Sequence, residues 1–142
     1  MLDLQEISDR LEIQEALVRY CDAVDRHDWH LLDRVFLPDA DIDYREVVPY
    51  HGDLAYTKRW LSKMTTAGTY YHMLGPGTLS LDGDVAHTRT PCYNPMPGSG
   101  QPVLVGHWYV DDWMRTEQGW LINKRVYRHC YRYRVEPVSP TT

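Results

Sequence analysis

One stretch of this chain restricts its fold more than any other: Leu17-Val18-Arg19-Tyr20-Cys21-Asp22-Ala23-Val24-Asp25-Arg26-His27-Asp28-Trp29. With a helical advance of about 100° per residue, Ile13, Leu17, Tyr20, Cys21 and Val24 gather on one side. Leu4, Ile7, Leu11 and Val18 widen that side into an apolar arc, with Glu12, Glu15, Arg19 and Arg26 opposite. Asp22 lies at the edge of the arc, but Asp25 projects inside it, in the sector of Ile7 and Val18. An unpaired carboxylate facing apolar surroundings is costly. Any fold of this chain must therefore bring a partner to Asp25.

At 142 residues the chain is long enough for one domain with a proper core, expected over 1–136. The net charge of −5, without a Lys/Arg run, argues against nucleic acid and anionic membrane as partners. No window approaches a membrane span, and the start Met-Leu-Asp-Leu-Gln-Glu lacks the pattern of a signal peptide. The three cysteines, Cys21, Cys92 and Cys130, form no CxxC pair and no even disulfide set, so a reduced, cytoplasmic protein is expected. Eleven Tyr and five Trp stand against one Phe. Such residues suit a ligand cavity or an interface, which need hydrogen bonds beside apolar walls. Composition alone does not separate that reading from compositional drift with exposed Tyr.

A first helix is expected from Leu4 to His27, then a short one from Trp29 to Phe36 capped by Asp28, ended by Leu37-Pro38-Asp39. Residues 40–44 alternate like a half-buried strand, and 47–52 read as a loop or edge strand. Asp53 caps a third helix, 54–66, with Leu54, Thr57, Leu61 and Met64 inward. The remainder is strand: 69–81 bent at Gly75-Pro76-Gly77, a hairpin turn at Asp82-Gly83-Asp84, then 85–93. A mobile loop is expected at 94–100, long strands at 103–116 and 119–135, and a disordered tail at 137–142. Helices followed by a meander of antiparallel strands describe an α+β fold. In it, N-terminal helices lie on the concave face of one strongly curved sheet, closing a cone-shaped cavity.

Histidine supplies the best partner for Asp25. His27, His30 and His51 fall at exposed positions, and the His27/His30 spacing straddles a helix break without further ligands, so no metal site is expected. His72, on the strand face shared with Tyr70 and Leu74, is placed to meet the helix; His87 and His107 are less constrained and could be structural.

The runs Tyr20…Val24-Asp25-Arg26-His27-Asp28-Trp29, Ile42-Asp43-Tyr44-Arg45 and Tyr71-His72-Met73-Leu74-Gly75, with Gly119-Trp120-Leu121-Ile122 after Trp113, resemble the SnoaL-like and scytalone dehydratase-like group. That group belongs to the nuclear transport factor 2-like superfamily. The resemblance covers nearly the whole chain and implies an Asp25–His72 dyad, as dehydratases and a dehydrochlorinase of the group keep. It implies that Tyr44 orients a water at the reacting group, that Tyr20 touches substrate, and that Arg128 or His129 brings a cation from the last strand. Trp108, Val110, Cys92, Met73 and Arg128 become substrate contacts by the same likeness. Cys92 and Val110 stand where scytalone dehydratase has a histidine and an asparagine, so the match is to the dyad and not to that substrate.

What the resemblance implies is a small lyase without a cofactor, foremost a dehydratase, acting on an apolar cyclic compound of steroid or polyketide kind. An isomerase or dehydrohalogenase would use the same base, and a binding protein without turnover would keep Asp25–His72 as a buried pair only. Trp108, Tyr109, Trp113, Tyr127, Tyr131 and Tyr133 suggest an uncovered aromatic sheet face, hence a homo-oligomer, dimer or trimer.

Overall fold

The computed structural model describes residues 1–64, 71–97 and 100–136. Helix α1 spans Leu4–Asp25, a short 3-10 segment Trp29–Arg34, and helix α2 Leu54–Met64. Seven strands follow or intervene: β1 Phe36–Asp43, β2 His51–Gly52, β3 Met73–Leu74, β4 Thr78–Asp82, β5 Val85–Met96, β6 Val103–Thr116 and β7 Gly119–Arg134. They form one sheet in the order β2-β1-β7-β6-β5-β3, with β4 also paired to β5. The layout is the α+β one expected, but the sheet is mixed, because β1 runs parallel to β7. Val35 and Ile122 begin that seam, where the Ile122 N–H donates to the Val35 carbonyl at 2.8 Å.

Local chemistry explains most boundaries. Asp3 caps α1 by accepting from the Glu6 N–H at 2.7 Å. The 3-10 segment lacks the expected cap, since Asp28 makes no capping side-chain bond. Leu37-Pro38-Asp39, expected to stop a helix, lie within β1, where the register against β7 shifts between Phe36 and Asp41. Proline donates no ladder hydrogen bond, so it is tolerated at such an irregularity. In the β4–β5 turn Gly83 takes a left-handed φ of 59°, as the Asp82-Gly83-Asp84 signal demands. Asn94 to Met96 extend β5 where a loop was expected. Tyr70, residues 65–69, 98–99 and the 137–142 tail lie outside the described residues.

Strand alternation sorts the core. Ala86, Thr88, Thr90, Cys92 and Asn94 of β5, with His107, Tyr109, Asp111 and Trp113 of β6, are buried under α1, while the residues between them are more open. Buried Ile13, Ala16, Leu17, Tyr20, Cys21 and Val24 cover them from α1. Leu4, Ile7, Leu11 and Val18, expected in the arc, are instead exposed, because the curved sheet meets the helix along a narrower line. Asp9 is buried and joins α1 to the far end of the hairpin through Arg115 (2.6 and 2.8 Å) and the Trp120 indole (3.0 Å). Of the six aromatic residues expected on an uncovered face, Tyr109, Trp113 and Tyr127 are buried, and Tyr131 stacks on Tyr133 at 5.2 Å. Among the described residues no helix is long and apolar enough to cross a membrane.

Candidate active site

Helix α1 ends immediately after Asp25, and the way it ends sets the site. His27 takes a left-handed φ of 57°, the His27 N–H donates to the Val24 carbonyl at 3.2 Å, and the Asp28 N–H donates to Ala23 at 2.8 Å. These two bonds satisfy the last carbonyls and turn the chain away. Asp25 is thereby left at the helix rim, facing the start of β3.

There it meets His72. Asp25 Oδ1 lies 2.6 Å from His72 Nδ1, and Asp25 Oδ2 accepts the His72 backbone N–H at 2.9 Å. The carboxylate thus grips both the ring and the main chain of one residue, and the histidine side chain is only 6% exposed. A proton on Nδ1 directed at the carboxylate leaves Nε2 as the basic nitrogen. Nε2 faces Asn94, whose amide nitrogen is 3.0 Å away. Among the described residues the Asn94 Oδ1 has no hydrogen-bond partner, although it is buried.

Deeper along the same face Tyr20 and Tyr44 share a hydroxyl–hydroxyl bond of 2.6 Å. Burial raises both phenols, so each stays protonated at neutral pH. The Tyr20 ring lies 6.3 Å from that of His72 and 5.3 Å, edge-on, from Tyr109. Tyr109 meets His107 at 4.7 Å, and His107 stacks on Tyr127 at 4.1 Å. Among the described residues neither buried ring nitrogen of His107 has a hydrogen-bond partner, and burial drives its pKa down to about 3. Beneath the tyrosines, Arg125 and Asp111 form a fully buried bidentate pair with two bonds of 2.7 Å. The guanidinium carbon lies 4.2 and 4.1 Å from the Tyr20 and Tyr109 rings.

Two hollows approach this cluster. A cleft of about 570 Å³ runs between α1 and the β3–β5 edge, lined by Leu17, Val18, Leu74, Thr88 and Thr90 among others. A smaller hollow of about 270 Å³ is lined by Met73, Leu74, Cys92, Gly106, His107 and Tyr131 among others. Neither lining includes Asp25 or His72 itself, and Leu74, two residues beyond His72, borders both.

Of the residues named from sequence, the fold therefore gathers Asp25, His72, Tyr20, Tyr44 and Cys92 on the inner side. Met73 points outward at the lip of the smaller hollow. Val110 and Arg128 do not join them, because they occupy the alternate positions of β6 and β7, on the other face, and Trp108, also at an alternate position, borders the smaller hollow with Met73 and Cys92. Arg89 lies 3.4 Å over the Trp108 ring, and Arg128 pairs with Glu46. Asn94, His107, Asp111 and Arg125 were missed as site neighbours. The signal was period-two alternation: in β6 it puts Asp111 in line with Tyr109 and Trp113, and in β5 it puts Asn94 in line with Cys92.

Comparison with known proteins accords with this architecture. The SnoaL-like domain model matches residues 5–126. An uncharacterised protein of Mycobacterium tuberculosis is 46% identical over 136 residues, covering 93% of this chain and 92% of that one. Among solved structures, the hexachlorocyclohexane dehydrochlorinase LinA-type3 from Novosphingobium barchaimii superposes with a TM-score of 0.84 at 16% identity, covering 99% of both chains. A candidate scytalone dehydratase from Novosphingobium aromaticivorans gives 0.80 at 13% identity, over 94% of this chain and 91% of that one. At these identities the structural likeness speaks for the fold.

Proposed function

The chain belongs to the SnoaL-like domain family, of the nuclear transport factor 2-like superfamily, and from that premise we propose that it is a lyase of dehydratase type acting on an apolar ring compound. One observation carries the reading: Asp25 holds His72 by both Nδ1 and the backbone N–H, at 2.6 and 2.9 Å. Such a clamp fixes the tautomer and supports the positive ring that forms when Nε2 takes a proton. The bond broken is a C–H next to a carbonyl. Its electron pair forms the enolate, and its proton goes to Nε2. When the enolate re-forms the carbonyl, a hydroxyl on the β-carbon leaves and takes that proton, departing as water. In the Tyr20–Tyr44 pair one hydroxyl donates to the other, so one O–H hydrogen remains to face the enolate oxygen. The LinA-type3 and scytalone dehydratase names of two structural neighbours are compatible with elimination chemistry on this fold.

The test is activity and stability measured on the same variants. His72→Ala is expected to abolish proton removal in a folded protein. Asp25→Asn keeps the size but loses the charge, and is expected to cut the rate by about 10²–10⁴-fold with little loss of ligand affinity. Full activity in folded His72→Ala would sink the proposal.

A second reading has one observation behind it. Asn94 engages His72 Nε2 at 3.0 Å, so both ring nitrogens are partnered, as in a histidine that only binds its surroundings. A ligand-binding protein without turnover would then lose stability in both variants, with binding falling only as far as folding does.

A further inference from the structure

A buried side-chain amide is ordinarily bonded at both ends, and those bonds fix which way round it sits. Asn94 departs from that rule. It is buried, its amide nitrogen lies 3.0 Å from His72 Nε2, and among the described residues its Oδ1 has no hydrogen-bond partner. The strands set this contact. Met73 is in register with Tyr93, so the same antiparallel pairing carried back one residue puts His72 opposite Asn94. Strand β5 is paired with β6 through Asn94, whose register partner is Val105, so its backbone is held. Rotation about the Cβ–Cγ bond exchanges oxygen and nitrogen, which are nearly equal in size, without moving that backbone. With the His72 bond the one this amide makes among the described residues, the turn breaks no second bond. His72 has no such freedom, since Asp25 holds its Nδ1 at 2.6 Å and its backbone N–H at 2.9 Å. A fixed ring nitrogen therefore faces a group that is a donor one way round and an acceptor the other.

Resting on the lyase reading above, we infer that Asn94 is a positioning residue whose amide follows the proton on His72. While the ring is neutral, its Nδ1–H donates to Asp25 and its Nε2 accepts from the Asn94 Nδ2–H. Nε2 has one lone pair, so Asn94 gives it up as the C–H of a substrate arrives. Once Nε2 has taken the proton from carbon it is a donor, and an N–H of Asn94 aimed at it is repelled. The amide then turns end for end, and Oδ1 accepts the Nε2–H until the proton passes to the leaving hydroxyl. The proton stays on nitrogen meanwhile, because an amide oxygen is a far weaker base than imidazole. Asn94 thus keeps the ring plane aligned in both protonation states. Side chains of the same size do not: Leu bonds neither state, and Asp favours the charged ring alone. The titratable groups around the dyad are Cys21 and Tyr20 of α1, Cys92 of β5 and His107 of β6. To these Asn94 adds a contact without charge, which serves either state of the ring.

The turn is read by NMR on isotope-labelled protein, following the His72 ring nitrogens and the Asn94 side-chain amide through a pH series. In the natural protein both sets of signals are expected to move with one midpoint. Proton removal is read separately, as deuterium exchange at C2 of 1-tetralone against pH. Asn94→Asp keeps the size but offers only acceptors, and its carboxylate favours the charged ring, so its exchange profile should move to higher pH by about one unit or more. Asn94→Leu offers neither group, and the folded variant should exchange about tenfold more slowly. An Asn94 amide whose signals ignore the titration of His72 overturns the inference without any variant. So do folded Asn94→Asp and Asn94→Leu proteins that melt earlier but keep the natural rate and pH profile, since that leaves Asn94 a structural bond alone. If either variant fails to fold, the NMR series on the natural protein still decides. The two measurements also separate this inference from the reading it rests on. Coupled titration of Asn94 and His72 without any exchange keeps the turning amide and removes the base. Exchange that is lost in His72→Ala, in a protein whose Asn94 signals never move, keeps the base and removes the role of Asn94.

Discussion

Two buried polar clusters occupy the inner face of this sheet, and they are completed to different degrees. In the Asp111–Arg125 cluster, both side chains are fully buried, the pair is bidentate at 2.7 Å, and three aromatic rings lie against the guanidinium. The one guanidinium nitrogen without a hydrogen bond, Nη1, is thus covered by π faces. Around His72, among the described residues, the Asn94 amide oxygen and both His107 ring nitrogens have no hydrogen-bond partner, and His107 borders the hollow of about 270 Å³. Burial is similar, but satisfaction differs. The first cluster leaves one guanidinium nitrogen, packed among aromatic rings, whereas the second leaves an amide oxygen and both nitrogens of an imidazole. The first is read as scaffold and the second as site.

The harshest way to break this contrast is Arg125→Met. It would strand a buried carboxylate, whose pKa burial already pushes upward against the pull of Arg125. A loss of about 3–5 kcal/mol in urea denaturation is expected. Adding Asp111→Leu should recover most of it, because removing both charges leaves neither unpaired. If the single variant instead folds normally but loses turnover, Arg125 belongs to the site and the contrast fails.

A pH series sharpens the other half. His107 titrates near 6.5 when unfolded and at about 3 when folded. Above pH 6.5 it is neutral in both states and contributes no pH dependence. Below that, the unfolded chain takes up a proton that the folded one refuses, so stability falls with acid across the window from 6.5 to 3. The slope is about 1.4 kcal/mol per pH unit. The groups around His107 are Tyr109, Tyr127, Cys92, His72, Arg125 and His129, and the difference between natural protein and His107→Phe isolates its own titration. Denaturation midpoints at pH 7 and pH 5 should converge for the variant. Equal acid sensitivity of the two would contradict a neutral, unpaired His107.

This division was only partly legible in the sequence. The helix, the hairpin turns and the long strands follow from periodicity, Gly83 and the caps, because those signals are local. The pairing of Asp25 with His72 rested on a carboxylate in an apolar arc and on family resemblance, and the fold brings the two together. The arc itself was read too broadly: Ile7, Leu11 and Val18 are exposed. Helical projection gives a direction but not how much of it a curved sheet covers. Trp108, Val110 and Arg128 were assigned by alignment, and strand alternation, which fixes the face, puts them opposite. The parallel β1–β7 pairing and the bulges of β6 against β7 were invisible, since both are set by distant chain segments.

A smaller effect probes the boundary between the clusters. Tyr20 and Tyr44 exchange one buried bond of 2.6 Å. Tyr20→Phe and Tyr44→Phe should each cost about 1 kcal/mol, and the double variant less than the sum, because one bond is lost only once. Thermal denaturation of all four proteins completes the cycle. Strict additivity would mean that the hydroxyls act separately, each serving its own cluster.

The smallest expected effect concerns the face that the site does not use. Family likeness made Arg128 a cation for the substrate, yet its side chain is 57% exposed and is engaged by Glu46, which also accepts the His129 N–H at 2.8 Å. An ion pair this open competes with water and salt and contributes little. Arg128→Ala should therefore change stability by less than about 0.5 kcal/mol and leave deuterium exchange at C2 of 1-tetralone, a probe of proton removal next to a carbonyl, untouched. Both measurements are needed, because an outer-face residue can be silent in folding and still matter to a ligand. A drop in exchange with stability unchanged would mean that the last strand does present its cation to the substrate. The polar cluster that binds would then extend through the sheet edge.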